Sequence, residues 1–193
     1  MSVIVGIKYN KGIVVGADSQ STAGGKKLED AIKIKKTKYS NCCVGTCGYT
    51  RDGNILVTKD ELMEYKDILE KKEIDFNYIV NIVVPNIFKT LRDNHRIVLI
   101  DNIEKSKSEF IYCTSKKMFK IWCDGAVTEH NDFITLGCGE DLVEGFLNTL
   151  NFENINLEEA KAIIETAIKQ SCKDDIYIND KITWVVLEEI KDE

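Results

Sequence analysis

The sequence predicts an α+β fold in which two antiparallel sheets are stacked between two layers of helices, an αββα sandwich. Three observations predict this order. Short apolar runs rich in β-branched residues fill two blocks, segments with helical spacing follow each block, and one more apolar run closes the chain. Short links within the blocks favour antiparallel pairing, and helices that come in pairs favour whole layers.

The first block predicts four strands. Val3–Ile7 and Ile13–Val15 are short apolar runs separated by a turn-like segment. Ile32–Lys36 alternates apolar and basic residues, and Cys42–Cys47 is a further apolar run. Together these runs predict the β-rich start of the sandwich.

The middle of the chain predicts two helices. A stripe of apolar residues from Phe76 to Leu91 recurs at helical spacing and stays in register across Pro85. We therefore expect a kink or a helix restart at the proline, and no change of element. A less regular helix is predicted over Gly53–Leu69.

The second block predicts four strands, two helices and a closing strand. The strands are Phe110–Cys113, Met118–Trp122, Ala126–Glu129, Phe133–Leu136 and, at the end, Ile182–Leu187. Apolar stripes from Leu142 to Leu150 and from Leu157 to Ile168 predict the two helices between them.

The length and the charge balance restrict the class of protein. The 193 residues contain no linker or repeat, so we expect one domain over residues 1–193. With 26 basic and 32 acidic residues the chain has no broad cationic face, which disfavours nucleic acid and anionic membrane surfaces as partners. No apolar run reaches the roughly 18 residues of a membrane span, and the N-terminus does not resemble a signal peptide.

The cysteines indicate a reducing compartment. Seven is an odd number, unusual for a secreted disulfide framework, so we expect reduced thiols in a cytoplasmic protein. Cys42, Cys43 and Cys47 form no CxxC pair and have no histidine nearby in sequence. Buried strand cysteines are the preferred interpretation, and neither a metal nor a cofactor is expected.

Ser2 directly precedes the first predicted strand, which would hold this end of the chain firmly in a sheet. Removal of Met1 would leave Ser2 with a hydroxyl and a free α-amine, whose unperturbed pKa is about 7.7–8.0. One residue would then supply both a nucleophile and its own base. Taken alone, the position favours the simpler alternative that Ser2 is an ordinary small second residue.

Asp18 and Lys33 are candidates for charged support of Ser2. Asp18 ends an apolar run, where a carboxylate shielded from water needs a partner. We expect adjacent antiparallel strands to bring the two side chains together beneath Ser2. Asp18 would then hold Lys33 protonated, and the cation would favour the ionised hydroxyl and lower the pKa of the amine. The alternative is a capping aspartate and an exposed lysine.

Four segments in this order and spacing resemble the opening of a proteasome β-type subunit, including the simple bacterial HslV type. They are Ser2 with Val3–Ile7, Gly16–Gly24, Lys33–Lys36 and Val44–Gly48, with weaker similarity at Gly137–Gly139 and Asp175–Tyr177. The resemblance implies the αββα fold of N-terminal-nucleophile hydrolases, which is the layer order expected from periodicity.

The resemblance also implies the roles of six residues. They are Ser2 as nucleophile, Asp18 and Lys33 as its charged support, Gly45 as backbone N–H donor to the oxyanion, Cys138 in place of a serine that assists the amine, and Asp175 as a second supporting aspartate. The chain departs from the family in three ways. Ser2 lacks the methyl that restrains the usual threonine, a thiol bonds more weakly than a hydroxyl, and Ile178 stands where many members have serine.

The function implied is hydrolysis of peptide bonds in unfolded polypeptides or peptides, within a homo-oligomeric ring and without a cofactor. An AAA+ ATPase that unfolds substrates would be a partner. Two alternatives stay open at this point. The departures around Ser2 suit a catalytically silent scaffold or assembly subunit, and the same fold suits a small-amide hydrolase.

Overall fold

The computed structural model describes residues 2–23, 26–37, 41–58, 74–176 and 178–189. The strands are β1 (Val3–Tyr9), β2 (Gly12–Asp18), β3 (Ser21–Ala23), β4 (Lys26–Leu28), β5 (Ile34–Lys36), β6 (Cys43–Cys47), β7 (Ile97–Ile100), β8 (Ile103–Ser106), β9 (Glu109–Cys113), β10 (Met118–Ile121), β11 (Val127–His130), β12 (Phe133–Gly137) and β13 (Ile182–Glu188). The helices are α1 (Thr50–Thr58), α2 (the consecutive segments Phe76–Tyr78, Ile79–Val83 and Val84–Asp93), α3 (Glu140–Leu147) and α4 (Leu157–Asp174).

Two antiparallel sheets form the centre of the fold. The first sheet has the order β12-β1-β2-β13 and the second has the order β11-β10-β9-β6-β5. Each sheet combines strands from both β-rich blocks of the sequence. Val3 of β1, for example, pairs with Gly137 of β12. Strands that are adjacent in sequence can be predicted to form hairpins, but the sequence does not predict pairing between strands as distant as β1 and β12.

The layers follow from the period-two alternation of the strands. Side chains such as Ile4 and Ile111 fill the space between the two sheets. The opposite face of the first sheet packs against α3 and α4, and the opposite face of the second sheet packs against α1 and α2. The α+β fold and the αββα layer order are therefore confirmed.

The stripe of apolar residues in α2 continues through Pro85, as expected, but the helix changes its winding. The turn Ile79–Val83, immediately before the proline-containing segment, is π-helical. Proline lacks an N–H and its ring crowds the carbonyl four residues earlier, so a wider turn removes the conflict without ending the helix. Within the described part of the chain, no helix combines the length and the apolar character of a membrane span.

Some boundaries and elements differ from the predictions. Helix α1 begins at Thr50 and is described to Thr58, and the rest of the predicted helix lies outside the described residues. The predicted strand at Ile32 begins at Ile34. The hairpins β3–β4 and β7–β8 were not predicted, because β4 is exposed along its length and β7 lacks a buried side chain. Burial on one face is what produces a readable alternation.

Candidate active site

Ser2 lies at the entrance to β1, a central strand of the first sheet, and is 7% exposed. Its carbonyl oxygen accepts a hydrogen bond from the backbone N–H of Cys138 at 2.9 Å. The next residue, Val3, donates its N–H to Asp18 Oδ1 at 2.9 Å. Hydrogen bonds from two different strand ends therefore fix the peptide group that follows the Ser2 α-carbon.

Asp18, the last residue of β2, is completely buried and accepts three hydrogen bonds. Its Oδ1 accepts from Lys33 Nζ at 2.7 Å and from Val3, and its Oδ2 accepts from the N–H of Gln20 at 3.2 Å. Side chains of both ion-pair partners are nearly inaccessible, at 0% for Asp18 and 7% for Lys33. A buried carboxylate needs such compensation for its lost hydration.

The expected pairing of Asp18 and Lys33 is present, but the expected route to it is wrong. Asp18 belongs to the first sheet, whereas Lys33 directly precedes β5 in the second sheet. The ion pair therefore bridges the two stacked sheets and does not join adjacent strands of one sheet. The spacing of Asp18 and Lys33 along the chain cannot distinguish a pair within one sheet from a pair between two sheets. In both arrangements the end of one strand lies against the start of another.

The electrostatics of Lys33 suit a group that stabilises negative charge near Ser2. Burial lowers the pKa of Lys33 below the usual value of a lysine, and the attraction of Asp18 works in the opposite direction. A depressed pKa in a cleft is typical of functional lysines. The cation also lies within electrostatic reach of Cys47 and Cys138.

A cavity opens beside Ser2 and Lys33. Its wall comprises residues 2, 20–22, 31–33, 46, 48–50 and 53. Segments from both sheets thus form one cleft with a hydroxyl and a cation in its wall. Such a concave site with convergent polar groups is the default candidate for substrate binding.

Gly45, the predicted oxyanion donor, lies in the middle of β6 between Ile34 of β5 and Ile111 of β9. A Cβ at Gly45 would lie 2.7 Å from Ile111 Cγ1, so its glycine serves the close packing between strands. The cavity wall does not include Gly45, but it includes Gly48, which follows the end of β6. The sequence offers both glycines within four residues and does not show which one reaches the cleft.

Cys138 and Asp175 do come together next to Ser2. The Cys138 thiol donates to Asp175 Oδ2 at 2.8 Å and lies 3.4 Å from the carbonyl oxygen of Ser2. Desolvation and the hydrogen bond to Asp175 raise the pKa of Cys138 to about 12, so the thiol remains a neutral donor. Ile178 is buried in the core beneath α3 and α4 and contributes no polar group.

Cys47 is a neighbour of Ser2 that sequence reasoning assigned only to the core. It is half-buried at the end of β6. Burial raises the pKa of its thiol, while a hydrogen bond with the Ser2 side chain and the charge of Lys33 act in the opposite direction. The signal that could have identified it is its place in the segment that resembles the family, directly before Gly48.

A family model described as proteasome subunit matches residues 2–187 of the chain. The chain belongs to the proteasome subunit family. The resemblance noted in the sequence is thereby confirmed, and the αββα sandwich described above is the form that the family fold takes in this chain.

Solved structures with the same fold cover nearly the whole chain. The Anbu Gly-1 mutant from Hyphomicrobium sp. strain MC1 has a TM-score of 0.75 at 14% identity, over 97% of this chain and 82% of that one. BPH from Thiobacillus denitrificans has a TM-score of 0.75 at 16% identity, over 98% and 100%, and has also been solved in complex with epoxomicin. HslV from Trypanosoma brucei has a TM-score of 0.67 at 18% identity, over 97% and 99%.

Proposed function

We propose that this proteasome subunit hydrolyses peptide bonds with Ser2 as an N-terminal nucleophile, exposed by removal of Met1. The observation that carries the proposal is the position of Ser2, in the wall of a cleft, at the end of a strand that is hydrogen-bonded to the buried Asp18–Lys33 pair. The free α-amine of Ser2 accepts the hydroxyl proton while Oγ attacks the carbonyl carbon of the scissile bond.

The proton then passes from the α-amine to the departing amine, and the C–N bond breaks to leave an ester on Ser2 Oγ. A water molecule, deprotonated by the same α-amine, attacks this ester and releases the new carboxylate with the restored hydroxyl. The cationic form of Lys33 stabilises negative charge that develops on Oγ and lowers the pKa of the amine. Every bond change in this sequence uses groups of Ser2, the substrate and water.

The oxyanion donor in this proposal is the backbone N–H of Gly48 in place of that of Gly45. Gly48 shares the cavity wall with Ser2, whereas Gly45 is enclosed by its two neighbouring strands. Glycine allows the backbone to approach the scissile carbonyl without a side chain in the way. The φ angle of 131° at Gly48 is unfavourable for other residues, which restricts the position to glycine.

Cys138 and Asp175 orient the terminal residue. The Cys138 backbone and thiol both contact the Ser2 carbonyl, and Asp175 fixes the direction of the thiol. With this carbonyl fixed, the α-amine and the hydroxyl of Ser2 can adopt fewer orientations. Such restriction lowers the entropic cost of reaching the transition state.

The substrates that fit this proposal are peptides and unfolded polypeptides, and the working form is a homo-oligomeric ring served by an AAA+ ATPase. Membership of the proteasome subunit family and the fold shared with HslV support this assignment. No resident cofactor takes part in the proposed steps.

Covalent labelling tests the proposal directly. Protein with Ser2 as its first residue is treated with epoxomicin, an epoxyketone that reacts with both the hydroxyl and the amine of a terminal residue. We expect one adduct per chain on Ser2 by peptide mass mapping, together with cleavage of fluorogenic peptides. Ser2→Ala abolishes both, and Thr166→Ala, which removes an exposed hydroxyl on α4 outside the cavity wall, retains them.

Two results would contradict the proposal. If intact mass shows that natively produced protein retains Met1, the base is an amide and cannot accept the proton. If protein with a free Ser2 amine takes no label and cleaves no peptide, the chain is a catalytically silent scaffold subunit. The buried Ile178 and the weakly bonding thiol of Cys138 would then account for the lack of activity.

A further inference from the structure

The turn between β6 and α1 is tied to three side chains that take no part in the proposed chemistry. Asp52 of α1 is completely buried, with Arg96 Nε bonded to its Oδ1 and Ser108 Oγ donating to its Oδ2 at 2.8 Å. Ser108 Oγ in turn accepts the backbone N–H of Tyr49 at 2.9 Å. A continuous path of hydrogen bonds therefore connects Arg96 to the turn.

Tyr49 is exposed to solvent by about half its surface, at 53%, but its backbone N–H and carbonyl are both hydrogen-bonded and two cations lie near its ring. Its carbonyl accepts the N–H of Asp52 at 2.9 Å. The Arg96 guanidinium lies 5.2 Å and the Lys107 ammonium 5.4 Å from the ring centroid, within the range of cation–π attraction. Restraints of this number indicate that the turn has one fixed conformation despite its exposure.

Gly48 rests directly on the segment that carries Ser108. A Cβ at Gly48 would lie 2.6 Å from both Lys107 O and Ser108 Oγ, so the two backbones are in close contact there. The N–H of Gly48 and the N–H of Tyr49 flank the same glycine α-carbon. A shift of Ser108 would therefore turn the Gly48 amide as well.

We propose that Asp52, Ser108 and Arg96 are positioning residues that fix the direction of the Gly48 N–H toward the developing oxyanion. This inference rests on the proposed function, since it assigns Gly48 its role there. The three side chains act through the turn and do not touch the reacting atoms. Their contribution appears in the transition state and not in binding of the intact peptide, because the donor must match the oxyanion position closely.

Two variants and a control test the proposal in protein with Ser2 as its first residue. Ser108→Ala removes the acceptor of the Tyr49 N–H, and Asp52→Asn removes the charge that holds Arg96 and Ser108. Arg92→Gln is the control, because Arg92 on α2 pairs with Glu104 on β8 at an exposed site near the same segments. For each protein we measure kcat and KM for a peptide, and binding of a peptide aldehyde and of the matching unreactive amide.

We expect kcat to fall about ten- to a hundredfold in both variants, with KM within about twofold of the parent. The aldehyde adds to Ser2 Oγ to form a tetrahedral hemiacetal, whose former carbonyl oxygen occupies the oxyanion position. Aldehyde binding should therefore weaken by a similar factor, while amide binding stays unchanged. The control should match the parent in all four quantities. A role in folding alone would lower the unfolding midpoint and leave the ratio of aldehyde to amide affinity unchanged. If Asp52→Asn does not fold, Ser108→Ala decides.

The inference is overturned if the parent cleaves peptides but both folded variants keep kcat within about twofold. It is also overturned if aldehyde and amide binding weaken equally. A parent that neither cleaves peptides nor reacts with epoxomicin overturns the proposed function, and this inference fails with it.

Discussion

Asp18 and Asp52 are both completely buried aspartates, and each is paired with one cation. Asp18 holds Lys33, whose side chain is 7% exposed, whereas Asp52 holds Arg96, whose side chain is 20% exposed. Asp18 also accepts the N–H of Val3, the residue after Ser2. The Asp52 carboxylate is linked to the cavity wall through the hydroxyl of Ser108, which accepts the N–H of Tyr49.

The difference shows how one arrangement can serve two purposes. Lysine can lose its proton in a buried site, so the Asp18–Lys33 pair places a titratable charge beside Ser2. Arginine stays charged, so the pair of Arg96 and Asp52 supplies fixed geometry. We therefore expect substitutions at the Asp18–Lys33 pair to alter the pH dependence of the free energy of unfolding. Substitutions at the Asp52–Arg96 pair should leave that pH dependence unaltered.

The largest effect is expected from Asp18→Asn, which breaks the first pair. It leaves the Lys33 cation buried without its counter-charge and weakens the link to β1. We expect a loss of about 3 kcal/mol in the free energy of unfolding in urea, and a fall of about a thousandfold or more in peptide hydrolysis. Asp30→Asn, which removes the partner of Lys181 at the surface, is the control and should change neither. A stable and active Asp18→Asn variant would contradict the role of this pair.

Lys33→Met should reduce peptide hydrolysis by about a hundredfold. It should also change how the free energy of unfolding depends on pH. The pKa of Lys33 is lower in the folded protein than in the unfolded chain. Between those two values the unfolded chain binds a proton that the folded protein does not, so the free energy of unfolding rises with pH. Lys33→Met should lack this rise in urea titrations over the pH range just below the usual lysine pKa of about 10.4. Equal slopes in parent and variant would refute the assignment.

The smallest effect is expected at Cys138, on the carbonyl side of Ser2. Cys138→Ser replaces a thiol by a hydroxyl, which forms shorter and stronger hydrogen bonds to Asp175 and to the Ser2 carbonyl. We expect kcat/KM to rise by about threefold in a peptide assay. Cys123→Ser, at a half-buried cysteine away from these contacts, should leave it unchanged. A fall in activity would show that the thiol itself is required.

Local patterns were reliable where an element is buried. The strands β1, β2 and β9 to β13 and the helices α3 and α4 were predicted because apolar side chains of each element pack in the core. Both faces of β1 and β2 are buried, so these strands appear in the sequence as continuous apolar runs, whereas each helix shows one apolar stripe. The hairpin β7–β8 was not predicted because apolar side chains such as Leu99 and Ile103 lie on its exposed surface. Its strands therefore lack the alternation of buried apolar and exposed polar residues. The resemblance to the family, confirmed by the family model, added the order of the segments that carry the candidate site residues.

The site was predictable as a set of residues and not as an arrangement. Ser2, Asp18, Lys33, Cys138 and Asp175 were all named from the sequence, and the structure brings them together. Their chemical roles remain proposals. Gly48, Cys47 and the network around Asp52 were not predicted, because their importance comes from neighbours that are distant in sequence.

By itself, the sequence determined the element types, the layer order and the family, because these depend on periodicity and on motifs read within short windows. Only the tertiary structure decided which strands share a sheet, that the Asp18–Lys33 pair spans the gap between sheets, and which of two glycines faces the cleft. The physical reason is that pairing between distant strands is selected by the packing of whole faces, and such packing leaves no separate signal in any one segment.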